Sequence, residues 1–147
     1  MREPDLEIRR VVTGFDANGR SVVTSDEAVA IYPIGEEEFH GTRVYATAGS
    51  GGAAEGMGEL PVGEFFPTSG AVMNIGEFPP GFAFPHHHSD TVDFAVVLAG
   101  EIELELDDGK CARMGPGGVV VQRGTNHAWR NVSDGWTRMM FILVANG

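Results

Sequence analysis

The chain has a single cysteine, Cys111, in 147 residues, so no internal disulfide holds it together. Cations are scarce as well. Lys and Arg number 10 against 21 Asp and Glu, which leaves a formal charge of −11. A surface with that balance has no basic patch to meet phosphates, so neither nucleic acid nor an anionic membrane is an expected partner. No apolar run approaches the ~18–20 residues needed to span a bilayer. The opening Met1-Arg2-Glu3-Pro4-Asp5 is charged where a secretory signal would be apolar, and a reduced, cytoplasmic protein is the expectation. Amphipathic helical stretches and long repeats are also missing, which excludes a helical domain and a solenoid.

What is abundant is glycine, 21 residues, about twice the usual ~7% and placed between short apolar runs. That pattern describes strands joined by tight turns. Glu7 to Thr13 and Arg20 to Thr24 flank the turn-like Asp16-Ala17-Asn18-Gly19 and read as a hairpin. Arg43 to Thr47 and Ala71 to Phe78 read as strands, Ala48 to Gly58 as a mobile loop, and Pro79-Pro80-Gly81 as a break. Phe94 to Leu98 is apolar and closes at Ala99-Gly100. Glu101 to Leu106 then alternates strictly, which predicts Ile102, Leu104 and Leu106 inside and the three glutamates outside as a solvated acidic row. Asp107-Asp108-Gly109 turns the chain, and Val119 to Val121, His127 to Asn131 and Arg138 to Val144 supply further strands. A length of 147 residues predicts one domain, 1–147, all-β and antiparallel, built as a sandwich or barrel.

The chemistry-bearing residues cluster. His86-His87-His88 and Asp93 fall within eight residues, and His127 follows a later turn at Gly124. Imidazole and carboxylate together are the usual donors for a divalent transition metal. The bland alternatives are a solvated histidine run, a core His127 held by backbone hydrogen bonds, and an Asp93 that only orients a histidine. Gln122 reads either as an amide offered to a ligand or as a solvent-facing turn residue, and Trp129 as a pocket or core aromatic. Cys111 lacks a basic partner in sequence and is not expected to be a catalytic thiol. Glu36-Glu37-Glu38 reads as surface charge.

The order of these residues resembles a known family. Gly81, the histidine run, Asp93 and then six residues to Gly100 resemble the first cupin motif, with Asp in place of the more usual Glu. Gly124, two residues, His127, three residues and Asn131 resemble the second, with Gln122 where cupins commonly carry proline. Residues from about 73 to 144 are therefore similar to a single-domain cupin of the conserved-barrel type, with 1–72 adding outer strands and loops. The resemblance implies a double-stranded β-helix, the jelly-roll barrel. It leaves two registers open. In one, His86 and His88 form the motif's HxH pair and a bulge brings Asp93 to their side. In the other, Pro85-x-His87 starts the pair, Ser89 replaces the second histidine, and His87, Asp93 and His127 share the interior without a bulge. Related small cupins tend to carry His-x-Ser/Thr here, whereas the histidine run offers more ligands to the first register.

The resemblance further implies one divalent metal (Fe, Mn, Ni or Zn) and a small organic ligand inside the barrel. The expected function is that of a metal-dependent small-molecule enzyme, either a dioxygenase or a redox-neutral lyase, dehydratase or isomerase. The alternative is a non-catalytic small-molecule binding or regulatory cupin. A homodimer is expected, with the N-terminal strands as contact material.

Overall fold

The structure is a computed structural model and describes residues 2–34, 38–47 and 66–146. The expected loop 48–58 and two members of the acidic run, Glu36 and Glu37, lie outside the described residues, while Glu38 is exposed. Twelve strands follow in order: β1 (Glu7–Phe15), β2 (Ser21–Ala30), β3 (Tyr32–Pro33), β4 (His40–Ala46), β5 (Ala71–Phe78), β6 (Ala83–His87), β7 (Thr91–Ala99), β8 (Ile102–Glu105), β9 (Cys111–Met114), β10 (Val119–Arg123), β11 (His127–Arg130) and β12 (Thr137–Ala145). The described helical structure is limited to one 3-10 turn, Asp107–Gly109. No described helix is long and apolar enough to cross a membrane.

A six-stranded sheet in the order β10-β7-β12-β5-β4-β3 faces a four-stranded sheet, β6-β11-β8-β9, and β1 pairs with β2 in a separate ribbon. Every pairing is antiparallel. This is a jelly-roll barrel. One core cluster joins its two sheets: Phe78, Ala95, Val97 and Met139 from the larger meet Ile102, Leu104 and Trp129 from the smaller. Each large apolar side chain buried there contributes about 1.5–3 kcal/mol. The predicted alternation appears in β8. Ile102 and Leu104 are buried, and Leu106, just past the strand's end, packs partly against the same cluster.

The acidic row differs from the freely solvated face expected of it. Glu101 pairs with Arg113 at 2.6 Å, and Arg130 reaches Glu103 at 2.7 Å and Glu105 at 3.4 Å. Only Glu101 is exposed; Glu103 and Glu105 are half-buried. The cause is cross-strand pairing, because β11 sets Arg130 directly opposite Glu103.

Two local devices hold the motif segments in place. Gly100 turns β7 into β8 with φ +80°, and a Cβ there would stand 2.6 Å from Thr137 Oγ1 and 2.7 Å from the Trp136 carbonyl oxygen. Asn131, 1% exposed, donates through Nδ2 to the carbonyls of Phe78, Pro79 and Gly135 and accepts from Ser133. The asparagine of the second motif therefore fastens the chain breaks around it. At the same end of β5, the fully buried Glu77 takes a two-pronged ion pair from Arg2 and a third bond from Arg138. These bonds tie the N-terminal stretch to the barrel.

Candidate functional site

Between the sheets lies a cavity of about 100 Å³. Its walls are mainly aromatic, from Phe39, Phe66, Phe78, Phe84, Trp129 and Phe141. Five polar side chains line it too: Asn74, His87, Asp93, Gln122 and His127. Of the residues singled out in the sequence, the structure brings His87, Asp93, Gln122, His127 and Trp129 together here. His86 and His88 are exposed and are not part of the lining.

A bulge produces this arrangement. His127 pairs with His87 and Trp129 with Phe84, so two residue steps on β11 are matched by three on β6. The extra residue turns Pro85 and His86 outward and sets Phe84 and His87 on the cavity side. His86 is left on the rim, with Nε2 3.1 Å from Glu105 and Nδ1 3.3 Å from the Asn126 amide. The bulge therefore falls before His87, whereas the sequence suggested one only between the histidines and Asp93.

His87 and His127 are cross-strand partners with ring centroids 4.3 Å apart. Both are held in the same way. His87 Nδ1 lies 2.9 Å from the Pro85 carbonyl oxygen, and His127 Nδ1 lies 2.8 Å from that of Thr125. A carbonyl can only accept, so each Nδ1 carries the proton, and in the neutral ring Nε2 keeps its lone pair. Burial pulls the His127 imidazole below its ordinary value, against the opposing bond to Thr125, with the charges of His87 and His86 adding to the depression. Its neutral, electron-donating form is favoured.

Asp93 enters from β7, 5% exposed. Burial pushes its carboxyl above the ordinary carboxylate range, while the hydrogen bond from Thr91 and the charge of His87 pull the other way. Thr91 donates to Asp93 Oδ1, and Ser89 Oγ lies 2.7 Å from Thr91 Oγ1, so a line of hydroxyls backs the carboxyl. Gln122 is 3% exposed and pairs across strands with Asp93. It is not the solvent-facing turn residue of the alternative reading. Trp129 belongs to the core cluster and lines the cavity as well. Cys111 is exposed and outside the lining; local desolvation and the carboxylates of Glu103 and Glu105 push its thiol up, away from the reactive thiolate.

The sequence reading missed Asn74 and most of the phenylalanines. Asn74 was detectable as the one amide of its strand, at an inward position, since Val72 and Phe78 share its parity and are buried. The phenylalanines carry no comparable signal.

The match to known proteins fits this geometry. The family model described as "Cupin domain" matches residues 74–144. Phomopsin biosynthesis cluster protein D of Diaporthe leptostromiformis is 37% identical over 155 residues, covering 96% of this chain and 80% of that protein. The chain belongs to the cupin family. Another relative, the cupin-domain-containing oxidoreductase fogC of Aspergillus ruber, is 31% identical, covering 92% of this chain and 71% of its own length. Among solved structures, the Cnp3 cupin domain of Schizosaccharomyces pombe superposes with a TM-score of 0.60 at 16% identity, covering 97% of this cupin and 90% of that chain. That likeness concerns the fold alone.

The donor types lead one to expect a metal, and the donors fit in kind. Two imidazoles with their Nδ1 atoms committed and a buried carboxylate lining the same cavity are donors of the kinds that Fe, Mn, Ni or Zn accept. Among the described residues, however, no three His, Cys, Asp or Glu side chains are gathered closely enough to enclose an ion. The histidine pair is in place, and Asp93 does not close the group with it.

Proposed function

We propose that this cupin is a metal-dependent enzyme acting on a small organic molecule held in the aromatic cavity. The observation that carries the reading is the His87–His127 pair, fixed through both Nδ1 atoms in a cavity that Asp93 also lines. His87 and His127 would hold the metal through Nε2, with Asp93 as the carboxylate. A bound divalent ion would supply Lewis acidity and open coordination positions. The chain's own residues do the rest. The phenylalanines and Trp129 exclude water and orient an apolar body. Thr91 donates to Oδ1 of Asp93 and steadies its carboxyl where it lines the cavity. Between redox and redox-neutral chemistry, the relative described as an oxidoreductase supports the redox branch.

The test is metal content after dialysis of four single variants. His87→Ala and His127→Ala are expected to lose the metal, since removing one of few ligands costs several kcal/mol of affinity. His86→Ala and His88→Ala are expected to keep the wild-type complement. Among the described residues no three donors stand close enough to enclose an ion, and that favours a second reading, a binding cupin without catalysis. Wild-type protein that takes up no metal when offered Fe, Mn, Ni and Zn in turn would sink the enzyme and leave that reading standing.

A further inference from the structure

Gln122 sits at the position where the sequence departs from the family's second motif, and its surroundings are unusual. The side chain is 3% exposed and lines the cavity. Its Oε1 is occupied, accepting from the Thr125 hydroxyl. Its Nε2 is buried and has no hydrogen-bond partner among the described residues. A buried amide donor left unmade is costly, and native structures rarely keep one unless something else meets it. Thr125 belongs to the turn that also supplies the carbonyl holding His127, so the amide and the imidazole are positioned by one short segment. Gln122 and the histidine pair line the same cavity from the two sheets.

The charge around the cavity narrows what meets it. No Lys or Arg is among the described lining residues. Arg43 stands behind the wall, with Nε donating to Asn74 Oδ1 at 3.1 Å. Asp93 is cross-strand partner to Gln122 and would repel an anion. A carboxylate or phosphate entering the metal-free cavity would lose its water and meet no cationic side chain in the described lining. A neutral carbonyl oxygen needs only a hydrogen-bond donor, and Gln122 Nε2 offers one.

We propose that Gln122 is a specificity-determining residue whose amide donates to the carbonyl oxygen of an uncharged substrate with a flat, apolar body. This rests on the reading of the cavity as the ligand site, and it adds the class of ligand and the residue that selects it. Benzene-sized molecules enter apolar cavities of this order, so acetophenone, ethylbenzene and benzoate are suitable probes of nearly equal shape. Binding is measured by calorimetry on chelator-treated wild type, Gln122→Leu and Gln122→Met. Wild type is expected to bind acetophenone about five- to tenfold more tightly than ethylbenzene, the usual worth of one neutral hydrogen bond. Benzoate is expected to bind more weakly than acetophenone.

In Gln122→Leu the preference for the ketone disappears. Gln122→Met, similar in size and without a donor, loses it too, and so covers the case in which the leucine variant does not fold. Equal binding of ketone and hydrocarbon by wild type, or a preference that survives both substitutions, overturns the assignment. Benzoate binding more tightly than acetophenone overturns the uncharged class. If none of the probes binds wild type, the cavity is not the ligand site and this inference falls. The metal content of the same preparation reports separately on the enzyme reading.

Discussion

Asp93 receives its hydrogen bond from a neutral hydroxyl, Thr91, while burial raises the proton affinity of its carboxyl. The consequence for stability has a definite sign. A carboxyl held above its unfolded value of 3.8 favours folding fully below that value, and the contribution is lost as pH rises through the folded value. At neutral pH the buried carboxylate therefore works against the metal-free fold. Asp93→Asn keeps the shape and the bond from Thr91 but cannot ionise. In chelator-treated protein the variant is expected to melt higher than wild type at neutral pH, with the gap closing as pH falls toward 3.8. His127 acts oppositely. Its depressed value gives stability that is present above 6.5 and lost as pH falls through the folded value. Thermal melts of wild type, Asp93→Asn and His127→Gln across that range separate the two. A melting difference for Asp93→Asn that stays constant with pH would show that the carboxyl's ionisation is not involved.

At the scale of elements, turns and alternation were the legible part. The turn at Gly100 is the clearest case, because its positive φ and the oxygens of Trp136 and Thr137 leave no room for a side chain. Gly100→Ala is expected to destabilise by about 2–4 kcal/mol, from left-handed backbone strain plus steric overlap. Urea unfolding measures it, and a change under about 0.5 kcal/mol, the range of ordinary surface substitutions, would mean that the β7–β8 connection is not as described. Both cupin motifs and the strand Ala71–Phe78 were readable because period-2 patterning and glycine spacing are local signals. The bulge in β6 was not, since nothing within Phe84 to His87 specifies it. It arises from how β6 pairs with β11, a partner some forty residues away. The same limit hid β9 and the far half of β2. Asp26, Glu27 and Ala28 have little intrinsic strand preference and are extended because β1 pairs with them. The acidic row misled for a related reason, because Arg130, which neutralises it, lies on another strand.

At the scale of the whole molecule, two apolar surfaces lack cover. On the outer side of the six-stranded sheet, Phe94 pairs with Val121 and both are exposed, as are Leu98 and Val119. The β1–β2 ribbon shows Val11, Val23 and Phe15 to solvent, Phe15 being 76% exposed, and two strands alone are only marginally stable. Such patches mark association surfaces. We predict a homodimer in which ribbon and sheet face cover one another across a two-fold axis. Light scattering is expected to give twice the 15.7 kDa chain mass, and Phe15→Asp with Val121→Asp to give the monomer. A monomeric wild type at all concentrations removes the idea.

The position of β12 in the six-stranded sheet bears on how the protein is made. This strand comes after all the others in the chain, yet it lies between β5 and β7 and bonds to both along its length. During synthesis at ~5–20 residues per second, β5 and β7 emerge early and wait with apolar edges unpaired until residues 137–145 clear the ribosome. Unpaired edges of that kind recruit other strands. Phe141 and Leu143 arrive on the same strand, so closing the sheet and completing the cavity wall are one event. A chain stalled before Thr137 therefore keeps those edges of β5 and β7 open and lacks part of the cavity wall.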